Sequence, residues 1–474
     1  MNRQLLCGAA SRVINPWPEL TTLFPGYSDT ILDDIRVRVI CLSDGEDRYF
    51  VMSFGTSVPD AKDLCREIED KIGVPSDHVS FFAVPNHSVI PCMDETVNVP
   101  NPRKQFHKVS EWPEERREGM HAYSDFIIAR AVEAAQEAAT ALRPAKMGHG
   151  LGESYVNVSR NQHFNVEDQD GSVKVHYATG VELAGEVDRT LFLMEFVDAN
   201  TEEPIAFLIN YAMLGMVTIS NNLGKDGKMA ITGDVPGKCC GYMEAKYPGS
   251  VALWSCGAAG NANPVMSLQM SYPDPKTGKP ERLYAKEPEA GLIMLQLLSA
   301  RLFADIMEIK RSIGHFSLHT CLKSMIEWSE TPGYDENNDI IENLYKVRMQ
   351  GLRVGDVLLL GVSGNMYNSI AREIRECSLF RHTCIITVHG GNLANSEYLL
   401  DDWVFDHSAP VEERMKMGPR DMPHDNNDPG AERVMKFDGK IDDCIVGTEH
   451  SQIVPGTLVP SLKKHTLSIS EKLL

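Results

Sequence analysis

Between residues 31 and 84 the sequence sets down two strand-like runs, an amphipathic helix and a further apolar run, and this order restricts the fold more than any other feature. ILDDIRVRVICLSD (31 to 44) and RYFVMSFGTS (48 to 57) are joined by an acidic Asp-Gly turn, which predicts neighbouring strands. AKDLCREIEDKIG (61 to 73) has helical spacing and stops on Gly73. FFAVPNHSVIPCMD (81 to 94) then begins as an apolar, strand-like run and empties into a loop carrying Asn86, His87, Cys92 and Asp94. Strand, helix and strand in alternation is the rhythm of a layered α/β sheet, and loops at strand ends are where such folds place reactive groups.

The rest of the chain continues the pattern. HAYSDFIIARAVEAAQEAATALRPA predicts a long helix with an Ala-rich stripe, halted by Pro144. GHGLGESYVNVSRN predicts a glycine-rich loop entering a strand; it lacks the strand-turn-helix context of a nucleotide fingerprint. TLFLMEFVDAN and PIAFLINYAMLGMV predict two strands around an Asn200 turn, and a second long helix covers roughly 287 to 311. YKVRMQGLRVGDVLLLGVSG predicts a hairpin through Gly355 and Asp356, and 404 to 440 is a long loop. The expectation is an α/β protein: a layered mixed sheet with flanking helices, in one domain over 1–474 with an irregular subregion at 400–474.

Charge and composition limit the partners. A formal charge of -20 disfavours nucleic acid and anionic lipid surfaces, and the basic stretches NPRKQFHK and SLKKH are short solvated faces. No run approaches the ~18 uninterrupted apolar residues of a membrane span, nor does MNRQLLCGAASRV hold a secretory core. A cytoplasmic protein with no membrane partner is expected. The 11 cysteines, including adjacent Cys239 and Cys240, form no disulfide framework and no C-x-x-C pair, so reduced, mostly buried thiols are expected. HDNNDPG (424 to 430) concentrates oxygen donors without calcium-loop spacing. No cofactor is expected, and the oligomeric state is left open.

Seven segments in order resemble the catalytic domain of the neutral/alkaline non-lysosomal ceramidase family: LLCGAASRVINPWP, VSFFAVPNHSVIP, LRPAKMGHGLGESYVNVSRN, EVDRTLFLMEFVDANTEEPIAFLINYAMLG, GDVPGKCCGYMEAKYPGSVALWSCGAAGNANP, GDVLLLGVSGNMYNSIAREIRE and GTEHSQIVPG. The resemblance implies one extended catalytic-type domain without that family's immunoglobulin-like tail. Members of the family are zinc amidases that cleave the N-acyl bond of a sphingoid lipid through a metal-bound water. Matched residue by residue, the ligand positions fall on Pro85, Leu214 and Asn365, with a fourth near Tyr398 or Glu397. Pro85 and Leu214 offer no side-chain donor and Asn365 is neutral, so the resemblance carries no zinc site with it. His87 and Ser88 match family residues beside the metal, and Arg160 matches an arginine at the substrate oxyanion. Asp234 and Asn261 match the pocket wall, and Thr448 replaces an assisting tyrosine.

Each residue also has a plainer structural role open to it. His87 serves equally as a hydrogen-bonded structural histidine, Arg160 as an ion-paired guanidinium and Asp234 as a turn former or helix N-cap. Cys92 could be a thiolate activated by His87 or a packed thiol. Two functions follow: a metal-independent, hydrolase-like enzyme for a small polar or anionic metabolite, or a silent binding or scaffold protein of the same fold. In the first, His87 and Arg160 are catalytic, and Asn86, Ser88, Asp234, Asn261, Asn365 and Tyr398 bind substrate. A zinc-dependent ceramide amidase ranks third.

Overall fold

The computed structural model describes residues 3–92, 112–167, 170–278, 280–284, 287–335, 339–393, 398–406 and 453–474. The first part of the chain runs β1 (Leu6–Val13), β2 (Arg36–Ser43), β3 (Arg48–Phe54), α1 (Ala61–Ile72), β4 (Val79–Ala83), α2 (Glu114–Thr140) and β5 (Arg143–Glu153). The middle runs β6 (Asn157–Glu167), β7 (Val173–Glu182), β8 (Thr190–Asp198), β9 (Pro204–Tyr211), α3 (Asp234–Lys246), β10 (Val251–Cys256), β11 (Ala262–Pro264) and α4 (Pro288–Ser312). Then follow β12 (Leu322–Tyr334), β13 (Ile340–Val354), β14 (Val357–Val362), β15 (Asn365–Met366), α5 (Asn368–Cys377), β16 (His382–Ile386), β17 (Tyr398–Leu399) and α6 (Leu458–Leu473).

Eight strands form the main sheet in the order β10-β9-β8-β5-β1-β2-β3-β4, with β9/β10 and β3/β4 parallel and the rest antiparallel. A second sheet, β12-β13-β14-β16, also ends in a parallel pair. Strand periodicity assigns the faces. On β3, Phe50, Met52 and Phe54 join a core with α1 and α2, whereas Tyr49 and Val51 join another with Leu352, Val354, Val357 and Leu359 of the second sheet. The far face of the second sheet, through Val347, Met349, Leu358 and Leu360, packs on α5 and α6. The layers are therefore helices, main sheet, second sheet, helices, with Leu193, Ile209 and Trp254 packed against α3 and α4 at the other end of the main sheet.

Local chemistry explains most boundaries. Helix α1 is capped by Asp60, whose side chain accepts from the Asp63 amide, and ends at Gly73 in the left-handed region at φ 72°. Two expectations need correction. Pro144 does not halt α2, which ends at Thr140; the proline already lies in β5. The expected GHGLGE loop is the body of β5, and its alternating glycines have a packing cause. A Cβ on Gly148 would lie 2.7 Å from Ile313, and one on Gly150 or Gly152 would lie 2.8 Å from Ile309, so the bare strand lets the end of α4 lie close.

The C-terminal stretch 400–474 is not wholly irregular, because α6 packs across β12 and β13. The loop expected at 404 to 440 lies mostly outside the described residues, as do Asp94, Glu397, the HDNNDPG segment and Thr448. Helix α4 is long and apolar enough, by length and composition, to cross a membrane. One face packs on β5, β8 and α3, and Leu292, Ile293 and Leu297 are exposed on it. The ten described cysteines are all free thiols.

Candidate functional site

Parallel strand pairs direct their carboxyl ends to one side, and both sheets do so toward the same place. The loops after β4, β9, β10, β14 and β16 are stitched together there by backbone bonds. His87 N donates to Gly215 O (2.9 Å), Gly215 N to Pro85 O (2.8 Å), Thr387 N to Cys256 O (2.9 Å), Val388 N to Gly364 O (2.9 Å) and Gly260 N to Met366 O (2.8 Å). Five separate segments thus build one region, and the functional candidates sit on them.

The loop after β4 is an Asx-type turn. Asn86 Oδ1 accepts from the Ser88 amide (3.0 Å), and its Nδ2 donates to Thr232 O (2.8 Å). Ser88 is fully buried, its Oγ paired with Thr218 at 2.9 Å. Asn86 and Ser88, expected to bind substrate, are thereby committed to holding the loop. Asp234 is committed likewise. It opens α3 with φ at 53°, and its carboxylate accepts from the amides of Thr218 (2.9 Å) and Val235 (2.7 Å) and from the Thr218 hydroxyl (2.7 Å). Burial raises its pKa against these bonds. The role is that of a structural clasp, and it leaves no carboxylate oxygen facing a ligand.

What this scaffold presents is His87. The residue is exposed to solvent, though protein atoms stand densely around the ring. That crowding first, and the positive charge of Arg160 second, lower its pKa to about 4. The imidazole is therefore neutral at pH 7. Arg160, on β6, is 3% exposed and donates through Nε (3.1 Å) and Nη2 (2.6 Å) to Gly260 O, with its guanidinium 5.1 Å from the centre of the Tyr398 ring. No carboxylate among the described residues pairs with it.

Asn365 and Tyr398 are direct partners in the parallel β15/β17 pair. Asn365 is 8% exposed, and its Oδ1 is buried without a hydrogen-bond partner among the described residues. His87, Arg160, Tyr398 and Asn365 thus form one neighbourhood, linked by charge, ring contact and strand pairing. Pro85 and Leu214 border it through the shared Gly215 bonds, and Leu214 belongs to an apolar cluster with Ala212, Met216 and Cys256.

Two other candidates direct their side chains elsewhere. Cys92 is buried in the core of the first sheet face, in the same apolar cluster as Tyr123. An apolar site does not favour a thiolate nucleophile. Asn261 accepts from the Arg160 amide through its backbone carbonyl (2.9 Å), but its side chain turns away from the guanidinium into a separate cleft. Its amide donates to Glu186 O (2.9 Å) and Asn368 Oδ1 (2.6 Å), and with Ser159, Asn161 and Tyr177 it lines a cleft of about 560 Å³. Sequence reasoning did not foresee this cleft, whose walls join the β6–β7 hairpin to α5.

Solved structures share this architecture, two ceramidase structures among them. The crystal structure of neutral ceramidase from Pseudomonas aeruginosa aligns at 14% identity and TM-score 0.58, covering 85% of this chain and 69% of that one. A structure described as ceramidase complexed with C2 aligns at 13% identity and TM-score 0.62, covering 99% of this chain and 76% of that one. The chain has a ceramidase fold. No family model matches the sequence, and no curated protein matches it. The likeness is therefore one of architecture, carried by layers and strand order while almost nine residues in ten differ.

Proposed function

We propose that this chain is a ceramidase-like, metal-independent hydrolase for a small anionic metabolite, bound where the strands' carboxyl ends meet. The observation that carries the reading is Arg160: a buried guanidinium that bonds only a carbonyl and has no acidic partner among the described residues. An unpaired buried charge is costly, and an anionic ligand or a developing oxyanion is its natural complement. The unpartnered Asn365 Oδ1 asks for a ligand N–H or O–H beside it.

The positions corresponding to the family's zinc ligands do not make a zinc site. Pro85 and Leu214 have no side-chain donor atom and Asn365 offers only a neutral amide, so with the fourth position near Tyr398 or Glu397 the set falls short of the three nitrogen, sulfur or carboxylate ligands a catalytic zinc takes. Hydrolysis of a C–N or C–O bond would then proceed with water adding to the substrate carbonyl as His87 takes its proton. The charge on the carbonyl oxygen is held by Arg160, and His87 returns the proton to the leaving nitrogen or oxygen. An anionic substrate between the two would raise the imidazole pKa back toward neutrality.

The pKa near 4 also favours a second reading. Such an imidazole is a weak base at pH 7, and a binding protein needs only its hydrogen-bonding ability. A screen of small carboxylates, amides and hydroxy acids, read by thermal shift and by turnover, separates the two. The enzyme reading expects conversion that falls in His87→Ala and Arg160→Ala. Ligands that stabilise the protein but are never converted, with unchanged affinity in His87→Ala, would establish the binding protein instead.

A further inference from the structure

At the other end of the second sheet three side chains converge that the candidate site does not use. His149 lies within β5, Asp356 in the β13–β14 turn, and His382 opens β16 beside Val357. Their ligand-capable atoms all lie within 4.8 Å of one another. The two imidazole rings meet edge to face with centroids 4.6 Å apart, and His149 also stacks on Phe192 at 6.0 Å. Both histidines are half-buried and Asp356 is exposed; none makes a hydrogen bond or ion pair with a described residue. The three border a cleft of about 660 Å³ that also contains His315 and His319.

Two imidazoles and one carboxylate are a donor set for Zn²⁺, Co²⁺, Ni²⁺ or Fe²⁺, and too nitrogen-rich for Ca²⁺ or Mg²⁺. Donors around such an ion at ~2.0–2.2 Å stand ~3–4 Å apart, so a small closure from the present spacing suffices. The nearby cations do not prevent this. Arg353 is spent on Gly355 O (2.9 Å), Leu473 O (2.7 Å) and Leu474 O (2.8 Å), and Arg381 is exposed to solvent.

We propose that His149, Asp356 and His382 form a divalent transition-metal site with at least one open coordination position, joining the main sheet to the second sheet. It is independent of the carboxyl-end site, since it lies at the amino ends of β14 and β16 and shares no residue with it.

The test uses the full chain freed of metal by chelator and titrated with Co²⁺ alone, followed by its visible absorption, and with Zn²⁺ by calorimetry. One ion per chain is expected, with affinity reduced tenfold or more in each of His149→Ala, His382→Ala and Asp356→Asn. Asp356→Asn is a change at an exposed turn and keeps the test valid should a histidine variant misfold. Affinity in His87→Ala should equal that of the parent chain. Absence of binding, or binding that survives all three substitutions, would overturn the proposal. So would binding lost in His87→Ala.

Discussion

The second sheet ends in two clusters of polar side chains, and they are built in opposite ways. At the carboxyl ends of β14 and β16, loops are bound to one another by backbone hydrogen bonds, and they present a neutral imidazole and an unpaired amide beside the buried guanidinium of Arg160 on β6. At the amino ends, two imidazoles and a carboxylate project from regular strands and a tight turn into a cleft. In the first, no carboxylate among the described residues pairs with the guanidinium, which suits an anion; the second combines acid with imidazole and suits a cation. One sheet thus separates two chemistries by about its own length, with no shared residue through which one must disturb the other.

The largest expected effect comes from removing the charge on which the anion reading stands. Arg160→Ala should lower turnover of any substrate found in the screen by on the order of 100-fold or more, because the principal electrostatic donor is gone. Its Co²⁺ titration should be unaltered. Asn365→Asp places a negative charge on the strand partner of Tyr398, whose ring Arg160 faces, and should weaken anion binding on the order of tenfold or more, measured by calorimetry, about 1.4 kcal/mol. Tighter anion binding in that variant would contradict the proposed ligand class.

The amino-end cluster can be stressed through its support. Gly148→Ala would bring a Cβ to 2.7 Å from Ile313 and 2.9 Å from the His315 carbonyl, one residue from His149. Unfolding in urea should show a loss of about 1–3 kcal/mol together with weaker Co²⁺ binding. Unchanged stability would show that α4 yields easily there.

A pH titration sharpens the contrast further. The folded-state pKa of His87 is lowered, to about 4, from an unfolded value near ~6.5, so the unfolded chain binds more protons between those values. Stability is therefore fully present above about pH 6.5 and is lost as pH falls toward 4. Buried His389, also lowered by burial and by Arg348, acts with the same sign. Thermal unfolding from pH 7 to pH 4 should show His87→Ala losing less stability than the parent, and a bound anion should restore part of the parent's loss. The smallest effect concerns Cys92→Ala: unchanged turnover, with about 1 kcal/mol lost from the core.

How far the two clusters were legible follows from how each is assembled. β2, β3, α1 and the β13–β14 hairpin announce themselves through period-2 and helical patterns and through turn residues at their ends. His87, Arg160 and Asn365 were found because each sits at a strand end or entry inside a segment of recognisable character. The GHGLGE strand was missed because glycine's turn preference outweighed a packing need that exists only once α4 is folded against it. His149, Asp356 and His382 had no common signal at all, being separated by 207 and 26 residues (356 − 149 and 382 − 356) and joined only by sheet stacking. Asn86, Ser88 and Asp234 looked like site residues because hydrogen-bonding groups that hold a loop and those that hold a ligand are the same types.

The most direct test of the contrast is anomalous diffraction at the zinc edge from crystals grown from chelator-treated protein and soaked in Zn²⁺. One strong peak is predicted among His149, Asp356 and His382, with none in the space bordered by Pro85, Leu214, Asn365 and Tyr398. A full-occupancy peak in that second space would contradict the account and return the chain to zinc chemistry of the ceramidase kind.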